Sequence, residues 1–184
     1  MHSEFEMSIM RELNFSLELQ IKQLKEGTFI NQAKYIRDLL KRFNMEEAKT
    51  MKTSMSSSIK LDKGEKCKSI NSTMYRGMIG SLLCLTTSRP NIMYNVCLCA
   101  RFQSCPKESH LSFIKRILKY LKGIMDIGLW YPNSDNFELI GFSNANFVGC
   151  KIERKITGGI CHFLRHSLVS WHSKNQNFEV LPKT

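Results

Sequence analysis

Residues 107–132 read KESHLSFIKRILKYLKGIMDIGLWYP, and a change of period inside them decides the fold. Up to Gly123 the apolar residues Leu111, Ile114, Leu118 and Leu121 recur at three- and four-residue spacings, which gathers them on one stripe of a helix. Lys115, Lys119 and Lys122, with Arg116 beside them, make a second, basic stripe. Gly123 is placed to close the helix as a C-cap. From 124 onward the period is that of strands. DIGLWYP, FELIGFSNA, TGGICHFLR and SLVSWHSK are short, β-rich and separated by turn residues such as Asn133-Ser134-Asp135. The chain therefore reads as α+β, helical before a boundary near 124 and β after it, with three antiparallel strands from about 137 forming a β-meander.

Working back from that boundary, SRPNIMYNVCLCARF (88–102) starts a helix with Pro90 in the first turn and Ser88 as candidate cap. TMYRGMIGSLLCLTT (73–87) is also helical, and its Gly77, Gly80 and Ser81 suggest close helix–helix contact. Residues 49–72, rich in Ser and Lys, lose periodicity and read as a mobile linker with solvated lysines. Ile36, Leu39, Leu40 and Phe43 form the apolar face of an earlier helix whose opposite face carries Lys34, Arg37 and Lys41. Before it, FSLELQI (15–21) and GTFINQ (27–32), joined by QLKEG, suggest a β-hairpin. Glu18 inside the first of these strands would be costly if buried.

The 184 residues suit one medium domain or two small ones, and no run is long and apolar enough to span a bilayer. Seven cysteines, an odd number without a CxxC pair, read as buried thiols of an intracellular chain, with cytoplasm and nucleus not distinguished. The net charge of +11 favours a polyanionic partner: nucleic acid first, an anionic membrane surface second, against a merely basic soluble protein. Two helices with the same basic stripe raise the nucleic-acid reading, because such stripes lie along phosphate backbones without reading bases. Cys161, His162, His166 and His172 lack the paired spacing of a metal site, and neighbours on a strand point to opposite faces. Core thiol and surface histidines explain them better; no metal is expected. Trp130, Trp171 and Tyr131 are most simply core or edge-strand residues.

ELIGFSNANFVGC (138–150) poses a different question. Its apolar approach delivers two small amides, Asn144 and Asn146, where a buried strand's exit usually presents carboxylates.

The order of these segments answers it. LQIKQLKEGTFINQAKYIRDLLKRF, YRGMIGSLLCLTTSRPNIMYNVCLCARFQSCPKESHLSFIKRILKYLKG, LIGFSNANFVGCKIERK and CHFLRHSLVSWHSKNQN together resemble the polyprotein of copia-type LTR retrotransposons, over nearly the whole chain. The resemblance implies that residues 1 to about 60 end a reverse transcriptase, that 72–123 are thumb- or connection-like helices, and that 124–184 open a truncated ribonuclease H-like mixed sheet. It implies polymerase aspartates, in a Tyr-x-Asp-Asp motif, upstream of the matching region. The ribonuclease H strand of the family reads Tyr-Ser-Asp-Ala-Asp, its first Asp a metal ligand; here it is Phe142-Ser143-Asn144-Ala145-Asn146. The next family acid, in Ser-Thr-Ala-Glu-Ala-Glu, would fall about one residue past the end of this chain, and Glu179 is out of register with it. The family also has Gly at Glu18, Pro at Ser54, Asp at Asn91 and Gly at Arg165.

Ribonuclease H chemistry uses two divalent ions about 4 Å apart. An asparagine offers them one neutral oxygen and cannot bridge them, so the family's Mg²⁺ is not expected as a cofactor here. Three readings follow: a catalytically inactive polyprotein fragment, a non-catalytic module binding RNA–DNA hybrid or duplex, and a part of an active enzyme completed by flanking polyprotein. The nucleic-acid contacts expected in either binding case are Lys34, Arg37, Lys41, Lys115, Arg116, Lys119 and Lys122.

Overall fold

A computed structural model describes residues 15–16, 18–55, 70–133, 138–146 and 155–179. The chain is α+β, as its periods predict. Strands β1 (Phe15–Ser16), β2 (Leu19–Leu24) and β3 (Gly27–Asn31) precede helices α1 (Ala33–Arg42), α2 (Ser72–Leu85), α3 (Pro90–Ala100) and α4 (Glu108–Gly123). Strands β4 (Leu129–Pro132), β5 (Leu139–Asn146), β6 (Lys155–Leu164) and β7 (Ser167–Glu179) follow.

The apolar stripes of the helices meet in one cluster. Ile36 and Leu39 of α1, Tyr75, Ile79 and Leu82 of α2, Ile92 and Val96 of α3, and Ile114, Leu118 and Leu121 of α4 are all buried there. Burial of each such side chain contributes about 1.5–3 kcal/mol, so this cluster is the main source of stability. Two of the polar side chains drawn in with it bond main-chain carbonyls. The Tyr75 hydroxyl donates to the Cys99 carbonyl at 2.9 Å. Arg89, 2% exposed, donates through Nη1 to Ile124 O at 3.0 Å and through Nη2 to Met125 O at 2.8 Å. A buried guanidinium thus covers carbonyls just beyond the C-terminus of α4, where helical partners run out.

β1–β4 form one antiparallel sheet in that order, and β5–β6–β7 form the expected meander. β4 lies after the period change at 124, yet it pairs with β3, Gly27 opposite Pro132 and Ile30 opposite Leu129. The hairpin at the start of the chain is therefore extended by a strand about a hundred residues away. Two side chains tie the meander to the rest of the fold: Trp171 Nε1 donates to Thr86 O at the end of α2 at 2.8 Å, and the Tyr131 hydroxyl of β4 donates to Leu168 O at 2.9 Å.

Several local expectations are corrected. Gly77 and Gly80 face open space rather than a neighbouring helix; only Ser81 of that trio is buried, its hydroxyl turned back to Gly77 O at 2.9 Å. Ser88 does not cap α3, because its hydroxyl donates to the buried Gln32 Oε1 at 2.6 Å. Gly123 is the last helical residue and lacks the left-handed backbone of a C-cap. Residues 49–55 are not a loose tether: Met51 N donates to Lys119 O at 3.2 Å, and Asn95 Nδ2 to Ser54 Oγ at 2.8 Å. The rest of the expected linker, 56–69, lies outside the described residues. Glu18 is exposed in the turn between β1 and β2, so the burial cost does not arise; its φ of 66° places the cost in the backbone instead.

Candidate nucleic-acid interface

The two basic stripes lie on helices that pack against each other, α1 on α4. Lys34, Arg37 and Lys41 are exposed on α1. The Lys34 backbone N–H donates to Gln20 Oε1 at 2.9 Å, and Arg37 Nε turns back to Ala33 O at 3.3 Å. On α4, Lys115 is exposed, whereas Arg116, Lys119 and Lys122 are half-buried.

That half-burial has a cause which the sequence does not reveal. The connector after α1 runs along this stripe. Arg116 Nη2 donates to Thr53 Oγ1 at 2.9 Å, and Lys122 Nζ donates to Ala48 O at 3.0 Å and to Glu46 O. Carbonyls of an irregular segment need donors as strand and helix carbonyls do, and the Lys122 ammonium of α4 supplies them to two. Lys115 and the α1 trio keep the exposure that a phosphate contact requires.

Asn144 lies on β5 opposite Gly159 of β6, and its side chain is exposed. It borders a cleft of about 270 Å³ between Pro90, Met93 and Tyr94 of α3 and Gly159, Trp171, His172 and Ser173 of the meander. The register puts the Asn146 backbone opposite Thr157; its side chain lies outside the described residues. Among the described residues the lining contains no carboxylate, and no three His, Cys, Asp or Glu side chains converge as metal ligands would. A hydrated Mg²⁺ requires charged oxygen ligands, so the residues present here do not fit one. Cys161 pairs with Trp171 and His162 with Ser170 on successive positions of β6, hence on opposite faces. The five described cysteines are free thiols, with Cys99 buried and Cys105 exposed; burial pushes the Cys99 thiol up to about 12. No described helix is long and apolar enough to cross a membrane.

Comparison with known proteins gives this arrangement its family. The chain is 37% identical over 173 residues, 94% of its length, to the retrovirus-related Pol polyprotein from transposon RE1 of Arabidopsis thaliana. It is 31% identical over 90% of its length to that from transposon TNT 1-94 of Nicotiana tabacum. An uncharacterized mitochondrial protein of Arabidopsis thaliana is 30% identical over 95% of this chain and 72% of its own length. The chain belongs to the Pol polyproteins of copia-type retrotransposons. It spans 12% of the length of the RE1 polyprotein and 13% of the TNT 1-94 polyprotein. No family model matches this Pol chain, and no solved structure does.

Two backbone features of the Pol chain fit the pattern it resembles. Glu18 and Arg165, which stand where the resemblance leads one to expect glycine, have φ of 66° and 57°, the left-handed region that glycine enters freely. The signal was present in the sequence; only the backbone gives its physical meaning.

Proposed function

We propose that this chain is a non-catalytic part of a retrotransposon reverse transcriptase/ribonuclease H polyprotein that binds nucleic acid and cleaves none. The observation that carries the reading is Asn144, a neutral amide bordering a cleft with no carboxylate among its described lining residues. With no charged oxygen there, a divalent ion has nothing to offset its charge, and neither water activation nor leaving-group stabilisation can be assembled. Binding is supported by the net charge of +11 and by the exposed Lys34, Arg37, Lys41 and Lys115. Their attraction to phosphates is electrostatic and independent of sequence.

Purified protein with RNA–DNA hybrid and Mg²⁺ or Mn²⁺ tests the first half. No cleavage is expected; cleavage that follows the protein through purification refutes it. Hybrid affinity measured against salt tests the second half. Reversing Lys34, Arg37, Lys41 and Lys115 singly should weaken binding and lower the log–log salt slope by about one for each phosphate no longer neutralised. Unchanged slopes would make both stripes plain solvated faces.

A further inference from the structure

The outward face of the first sheet carries a row that neither basic stripe includes. Lys22 of β2 lies opposite Phe29 of β3, and Phe29 opposite Trp130 of β4. Residues opposite one another in antiparallel strands share a face, so lysine, phenylalanine and tryptophan stand side by side across three strands. Tyr131, the next residue of β4, points the other way and reaches the meander. The row thus lies on the face turned from the meander, where Trp130 is 40% exposed and Lys22 exposed.

Two glycines set the posture of the rings. A Cβ on Gly27 would lie 2.8 Å from Trp130 Cζ2, and one on Gly128 would lie 2.7 Å from Phe29 Cζ. Each ring therefore occupies space over a glycine that any other residue would fill, resting on the sheet and not standing up from it. An aromatic ring laid on a sheet with a lysine in its row is the geometry on which an unpaired base stacks.

We propose that this face is a stacking platform for unpaired bases of single-stranded nucleic acid, with Phe29 and Trp130 receiving bases and Lys22 the adjoining phosphate. The proposal rests on the nucleic-acid reading above and adds a second site to it. Lys25 in the β2–β3 turn adds to the positive charge near the row, against Glu26 in the same turn and Glu18 before β2, within a chain of net charge +11.

Fluorescence anisotropy of a labelled oligothymidylate with the full chain at low salt tests it, beside the same titration with an RNA–DNA hybrid. Trp130→Ala and Phe29→Ala should weaken oligothymidylate binding about tenfold or more, because duplex bases cannot reach the rings and unpaired ones can. Hybrid binding should stay near wild type, and Trp130→Phe should retain most of the single-strand affinity. Lys22→Glu, at an exposed side chain, tests the site without removing a ring and should also weaken oligothymidylate binding. The platform is overturned if Trp130→Ala leaves single-strand binding unchanged, lowers both titrations equally, or alters only self-association in sedimentation. Wild-type protein that binds hybrid but fails these tests loses the platform alone; wild-type protein that binds neither ligand overturns the proposed function as well.

Discussion

Replacing Glu18 by glycine should make this protein more stable. Glu18 is exposed and held at φ 66° in the turn between β1 and β2. A residue with a Cβ loses about 1–2 kcal/mol in the left-handed region, through its clash with the following carbonyl. Glycine removes that clash but loses about 0.5–1 kcal/mol more conformational entropy on folding. The net gain is about 0.5–1 kcal/mol, which for a domain of this size raises Tm by about 1–4 °C. Arg165→Gly, at φ 57° in the two-residue turn between β6 and β7, should act in the same direction. The two sites lie in different sheets, so the double variant should shift Tm by nearly the sum. Glu18→Ala separates backbone from side chain, because it removes the carboxylate and keeps the strain. Asn44→Gly, at φ 52°, is the matched control, since asparagine tolerates this region and should gain little. Thermal unfolding followed by circular dichroism reads all of these proteins. The reasoning is refuted if Glu18→Gly fails to raise Tm, or if Glu18→Ala raises it equally.

Three further outcomes follow from the packing. Arg89→Ala removes two charged hydrogen bonds to Ile124 O and Met125 O from a buried site, and should cost roughly 3 kcal/mol, read as a lower urea midpoint at unchanged m-value. Lys122→Glu should destabilise by about 1–3 kcal/mol by removing its hydrogen bonds to the connector, whereas exposed Lys115→Glu should leave the midpoint near wild type; equal effects would contradict the tethering of 46–53 to α4. In native-state hydrogen exchange, amides of α2 and α4 should open near the global free energy and those of the edge strand β5 well below it; uniform protection would show that the meander unfolds only with the core.

The sequence carried the element types well because α1 and α4 have strong apolar stripes, α2 and α3 are long apolar runs, and each strand is a short β-rich run. Ile114, Leu118 and Leu121 are buried where a 3.6-residue period puts them. Pairing was harder to read. Nothing local to Leu129–Pro132 says that its partner is β3 rather than β5, since hydrogen-bond partners a hundred residues apart leave no mark in either segment's period. The basic stripe of α4 was visible, but the tethering of Arg116 and Lys122 depends on where an aperiodic connector runs. Gly77 and Gly80 misled because small residues in a helix mark close packing only when another element approaches them. The row of Lys22, Phe29 and Trp130 was hidden for the same reason as β4: it exists only once the strands are in register.

The departures from the family pattern differ in what they cost the folded chain. Glu18 and Arg165 together cost about 2–4 kcal/mol of backbone strain, a sizeable part of a typical stability of about 5–15 kcal/mol. Both sit in exposed turns, while every buried hydrophobic side chain among the described residues falls between Ala33 and Leu121. Ser54 and Asn91 found partners: Ser54 accepts from Asn95 Nδ2 at 2.8 Å, and Asn91 Nδ2 donates to the Tyr120 hydroxyl at 2.7 Å. Asn144 carries no such cost. Its side chain is exposed, so the amide there is hydrated and buries no unpaired polar group. Fold and chemistry are separable here because they are carried by different atoms. The buried core cluster is built from side chains of α1 to α4 and the segment after α1, none of them on β5, so the position where the resemblance places a metal ligand can be neutral without removing any part of it.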